Sequence, residues 1–109
     1  MAKNDKKAAT ARSAAVEIVQ QVLGEGAYTN IAVNKYLRSH ELSDMDRRLM
    51  TELVYGTVKA VGTIDWYLQQ CVTRPLDKID KLVLSILRIS VYQLLYMDKI
   101  PASAACNEA

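Results

Sequence analysis

Residues 77–97 read DKIDKLVLSILRISVYQLLYM. From Leu82 to Met97 nearly every position is apolar, and the polar exceptions Lys81, Ser85 and Arg88, continued by Tyr92, recur at i, i+4, i+7 and i+11. On a helix these four make one narrow stripe, so most of the circumference is expected to be buried. Asp77 and Asp80 open the stretch with capping-box spacing, and Pro75 blocks an earlier start. A membrane span needs about 20 apolar residues. This run is shorter and carries Arg88 near its middle, at a cost of roughly 2.5–3.5 kcal/mol on insertion. A buried strand would neither run this long nor keep a helical polar stripe. The expectation is a central core helix with the other helices packed around it.

The rest of the chain suits that reading. At 109 residues it forms one domain with a modest core. Half of the residues are hydrophobic, a quarter are charged, and two prolines and four glycines leave few breaks. Phe is absent, and apolar/polar alternation of β-branched residues is rare, which favours long helices over strands. The charged N-terminus lacks the apolar run of a secretory signal. Cys71 and Cys106 stand alone, so neither a zinc site nor a disulfide framework is expected, and a reducing cytoplasm is the expected location. The net charge of +2 is unevenly spread: residues 1–12 sum to +3 and the remainder to −1. A basic, flexible arm (residues 1–9) on a near-neutral helical body (residues 10–109) follows.

Upstream of residue 77, four further helices are expected. The first runs from Thr10 to Leu23 and is stopped by Gly24 and Gly26. On it Arg12 projects beside the apolar stripe and is expected to be partly sheltered. The second is short, from Thr29 as N-cap to about Arg38. Ser43 opens the third with an S-x-x-D box completed by Asp46. On its wheel Leu49, Met50, Leu53, Val54 and Val58 share one broad face, while Arg48, Glu52, Tyr55 and Lys59 line the other. Gly56 falls on the edge of the apolar face, where a missing Cβ permits close helix approach. Gly62 marks a break, and a fourth helix runs from about Thr63 to Val72. Past residue 97 a turn at Asp98–Pro101 leads into another helical run that carries no stop signal before Ala109, so the chain reads as truncated.

Catalytic chemistry is not expected here. There is neither GxGxxG nor GxxxxGK[ST]. Both cysteines read as core packing, and His40, the single histidine, lies in a loop without a recognisable partner. Tyr67, Tyr92 and Tyr96 read as core or core-edge aromatics, and Arg88 as a structural ion-pair residue. Binding has better candidates. Lys3, Lys6, Lys7 and Arg12 could contact phosphates, with Arg48 and Lys59 next and Tyr55 placed to stack on single-stranded RNA. The competing reading is a solubilising tail and a solvated helix face held by i,i+4 neighbours.

The segments DRRLMTELVYGTVK (46–59), IDWYLQQ (64–70), RPLDKI (74–79) and LRISVYQLLYMDKIPASAACNEA (87–109) resemble the NusB-like helical domain. The version at the N-terminus of bacterial 16S rRNA (cytosine-C5) methyltransferases, the RsmB/Sun family, is more similar than the antitermination factor itself. The resemblance implies an all-α fold of two small packed bundles, the second incomplete here, that binds RNA. It implies 16S rRNA as the partner and a catalytic domain in cis that uses S-adenosylmethionine and a cysteine, with no cofactor and no catalytic residue in these 109 residues. Two alternatives are a stand-alone antitermination adaptor that binds RNA with a ribosomal protein, and a helical docking module. The last predicts an exposed apolar patch where further helices would pack.

Overall fold

The structure is a computed structural model, and it describes residues 7–98. Among them five α-helices carry the fold: α1 (Ala11–Val19), α2 (Thr29–Ser39), α3 (Asp44–Lys59), α4 (Val61–Cys71) and α5 (Lys81–Tyr92). A two-residue strand β1 (Lys7–Ala8) pairs in parallel with β2 (His40–Glu41), Lys7 opposite His40 and Ala8 opposite Glu41. The all-α expectation holds. Of the residues expected to form a flexible arm, Lys7 and Ala8 pair with β2 and the Ala9 amide donates to the Glu41 carbonyl at 3.3 Å. Lys3 and Lys6 lie outside the described residues.

Local chemistry sets the helix ends. Thr10 and Ser13 form a reciprocal capping box: the Ser13 amide donates to Thr10 Oγ1 at 3.2 Å and the Thr10 amide to Ser13 Oγ at 3.1 Å. At its far end α1 widens into a π-helical turn, Gln20–Gly24, and the chain reverses through Gly26 at φ +82°, a left-handed conformation that a Cβ would strain. Tyr28, not Thr29, holds the cap position of α2, and it supplies no side-chain bond. Ser43 caps α3 as its motif requires, with the Asp46 amide donating to its hydroxyl at 3.1 Å. The break after α3 falls at Ala60 (φ −98°, ψ 14°), so α4 starts at Val61 and Gly62 lies inside it. Asp80 caps α5, its Oδ2 accepting from the Leu82 and Val83 amides at 3.0 and 3.2 Å. Asp77 sits one turn earlier in a separate 3₁₀ turn, Leu76–Lys78, and does not open the helix.

The centre of the molecule is the α1–α3 pair, not residues 77–97. Small residues on α1 (Ala11, Ala14, Ala15) let α3 approach, and Ile18, Val19, Met50, Leu53 and Val54 are sealed between them. Helix α2 adds Ala32, Val33 and Tyr36, and α4 adds Ile64 and Leu68. Helix α5 closes this core with one face alone. Leu84, Ser85, Ile89 and Tyr92 point inward, while Leu82 (48% exposed), Val83, Ile86 (45%) and, in the following π-helical turn Gln93–Met97, Leu94 (68%) face outward.

The expected polar stripe is therefore largely an inward one: Ser85 is 2% exposed and Tyr92 9%, and Arg88 is half-buried. Arg88 and Tyr92 each have a specific receiver. Arg88 reaches Asp65 of α4 with two bonds, Nε–Oδ1 at 2.9 Å and Nη2–Oδ2 at 2.8 Å, so its structural ion-pair reading holds. Tyr92 lies against Gly56. Two further expectations are overturned: Tyr67 and Cys71 face outward, as does Trp66 (60% exposed), because α4 contributes only Ile64 and Leu68 to the core. Cys106 and the helical run expected after Pro101 lie outside the described residues. Among the described residues no helix is long and apolar enough to cross a membrane.

Candidate nucleic-acid interface

The outer row of α3 forms as its sequence spacing requires. With Ser43 fixing the start, steps of four, three and four residues place Arg48, Glu52, Tyr55 and Lys59 on one side, and all four are exposed. Arg48 and Lys59 are separated by about 16 Å of helix at 1.5 Å per residue. Lys59 lies in the last turn, where a cation complements the helix dipole.

Gly56 lies beside this row. A Cβ there would overlap the ring and hydroxyl of Tyr92, so the end of α5 rests on glycine backbone. Tyr92 stacks on Tyr96 with centroids 5.2 Å apart and planes 26° from parallel. Burial above all, then Glu52 and then Tyr96, raises the pKa of the Tyr92 phenol. Gly56, Lys59, Ala60 and Thr63 together with the two tyrosines line an open groove of about 390 Å³.

Arg12 joins the same end of α5 from α1. It is exposed, not sheltered, and its Nε donates to Gln93 Oε1 at 3.3 Å, next in sequence to Tyr92. Lys7 is exposed in β1, and its strand partner β2 leads through Leu42 and Ser43 into the Arg48 end of α3. The structure thus sets Arg48, Tyr55 and Lys59 on one row and attaches Arg12 to it through the end of α5.

The sequence reading missed the Tyr92–Tyr96 pair and the groove. The i,i+4 spacing of these tyrosines was a usable signal, masked by an apolar helix in which both read as core. Tyr96 is in fact 38% exposed.

His40 does have partners. Its ring stacks on Tyr36 at 3.8 Å and 5°, and Nδ1 lies 2.9 Å from Ser39 Oγ and 3.2 Å from the Tyr36 carbonyl. These contacts tie the α2 end to β2, a structural use of the ring. Burial first, and Glu17 second, raise the pKa of Tyr36, against a hydrogen bond from Ser13 that lowers it.

A profile of the NusB family matches residues 9–109. The chain belongs to the NusB family. This NusB domain is also similar to longer proteins. It is 40% identical over 98 residues to the "Probable ribosomal RNA small subunit methyltransferase B" of Synechocystis sp., covering 90% of this chain and 22% of that protein. The protein of the same name from Bacillus subtilis is 38% identical over 103 residues, covering 94% and 23%. The "Ribosomal RNA small subunit methyltransferase B" of Proteus mirabilis is 31% identical over 97 residues, covering 89% and 22%. The chain thus spans just over a fifth of the length of these relatives. In this NusB domain the Arg88–Asp65 pair, the Gly56–Tyr92 contact and the Ser43 cap all lie within the matched region.

Proposed function

We propose that this NusB domain binds RNA for an rRNA (cytosine-C5) methyltransferase, holding 16S rRNA against a catalytic domain supplied elsewhere in the same protein. The observation that carries the reading is the exposed Arg48–Tyr55–Lys59 row joined to Arg12 through the end of α5. A track of separated guanidinium and ammonium groups with an aromatic ring between them suits a single strand, whose phosphates and unstacked bases alternate. The relatives' names support rRNA as the substrate class. S-adenosylmethionine belongs, on this reading, to the catalytic domain and not to the residues described here, which supply binding and orientation. The cytoplasm, where ribosomes are assembled, is the location the reading requires.

Titration of labelled single-stranded RNA at several salt concentrations tests it. Affinity should fall with log salt at a slope of about 0.7 per neutralised phosphate. Arg48→Glu and Lys59→Glu should each weaken binding and flatten the slope. Binding that is absent at low salt, or insensitive to both reversals, would sink the proposal.

A further inference from the structure

We infer that the groove between Gly56, Lys59, Thr63, Tyr92 and Tyr96 is a pocket for one unstacked base of a single RNA strand. The inference rests on the RNA-binding reading above and deepens it by assigning a specific seat to a base.

Three observations point to a planar aromatic ligand. At Gly56 the lining is backbone, and the Tyr92 ring fills the space a Cβ would take, which fixes that ring against α3. The wall is an aromatic pair: Tyr92, nine-tenths buried, is fixed by the core, and Tyr96, stacked on it, exposes over a third of its surface. Tyr96 therefore offers a ring surface whose partner ring is already immobilised, which lowers the ordering cost of stacking a ligand on it. The rim carries the Lys59 ammonium and the Thr63 hydroxyl, one a donor and the other donor and acceptor, suited to the edge of a base.

The charges argue against an anion in the same place. Glu52 lies close enough to Tyr92 to raise its pKa, and it stands one helical turn before Gly56. A phosphate seated on the tyrosines would meet that carboxylate with one lysine to offset it. A neutral base would not. Arg12, bonded to Gln93, and Arg48, farther along α3, lie outside the groove, where they can take the phosphates on either side of the inserted nucleotide. An aromatic stack beside spaced cations is the arrangement that holds single strands without reading a fixed sequence.

The test compares short single-stranded RNA with the same strand carrying abasic sites, measured by fluorescence anisotropy on the protein and on Tyr96→Leu, Tyr96→Trp and Thr63→Leu variants. Both strands present the same phosphates. The protein should prefer the base-containing strand by roughly five- to a hundredfold, the range of one stacked base. Tyr96→Leu should abolish the preference, Tyr96→Trp should keep it, and Thr63→Leu, narrowing the groove from α4, should reduce it. The salt slope should stay unchanged in all three. Because Tyr96 and Thr63 are exposed, unchanged circular dichroism is expected, and either variant alone is sufficient should the other unfold. RNA binding without a base preference would overturn the pocket and leave the RNA reading standing, as would a preference that Tyr96→Leu does not alter. No binding of either strand at any salt would overturn both.

Discussion

The contact of α1 with α3 and the outer side of α5 are built from the same kind of residue and end in opposite environments. Between α1 and α3, Ala14, Ala15, Ile18, Val19, Met50, Leu53 and Val54 are all sealed from solvent. On α5, Leu82, Val83 and Ile86 stand nearly half exposed although their helix is the more apolar. The difference lies in how the neighbours are arranged around each helix. Helix α3 is covered by α1 on one side and braced by α2, α4 and α5, whereas α1, α3 and α4 all meet α5 on the face of Leu84, Ser85, Ile89 and Tyr92 and leave its other side uncovered. Apolar composition states how much surface a helix can bury, and the surrounding elements state how much it does. The outward side of α5 keeps Leu82, Val83 and Ile86 exposed, and on α4 Trp66 and Tyr67 are exposed as well.

The comparison predicts a graded set of stability effects. Leu53→Ala should have the largest, a loss of about 2–5 kcal/mol, because the cavity would be walled by α1 and could collapse little. Denaturant midpoints would measure it, and a loss below about 1 kcal/mol would mean that the α1–α3 contact is not the centre. Gly56→Ala comes next at about 1–3 kcal/mol, since the added methyl must displace a nearly buried Tyr92 ring. The same substitution should disturb the tyrosine near-ultraviolet circular dichroism, and an unaltered spectrum at wild-type stability would break the assigned contact. Thr57→Val should act in the opposite direction. The Thr57 hydroxyl is fully buried and has no hydrogen-bond partner among the described residues, so removing it should raise stability by about 1 kcal/mol. Ile86→Ala should change least, within about 0.5 kcal/mol, as a surface helical position with little contact to lose. A loss of Leu53 size at Ile86 would show that the outward face of α5 is covered in solution.

Much of this was legible from short-range patterns. Ser43 with Asp46, the glycines after α1, and the steps linking Arg48, Tyr55 and Lys59 depend on residues within one or two turns, and local backbone geometry fixes them. Gly56 was legible as a place of close approach for the same reason, though not what would approach. Arg88 read correctly as an ion-pair residue from its apolar setting, but nothing local named Asp65, 23 positions away. The largest failure was one of direction. Lys81, Ser85, Arg88 and Tyr92 made a correct stripe whose direction was misjudged, because periodicity fixes which residues share a face and not which face turns inward.

The sequence by itself therefore determined the all-α class, the main helices, most of their caps and the membership of each face, all of which follow from backbone hydrogen bonding and helical repeat. Tertiary structure alone decided that α1 and α3 form the centre, that Tyr92 meets Gly56, and that Lys59, Thr63 and Tyr96 from three elements converge on one groove. These outcomes depend on shape and charge complementarity between segments distant in the chain, and they exist only once the helices have docked.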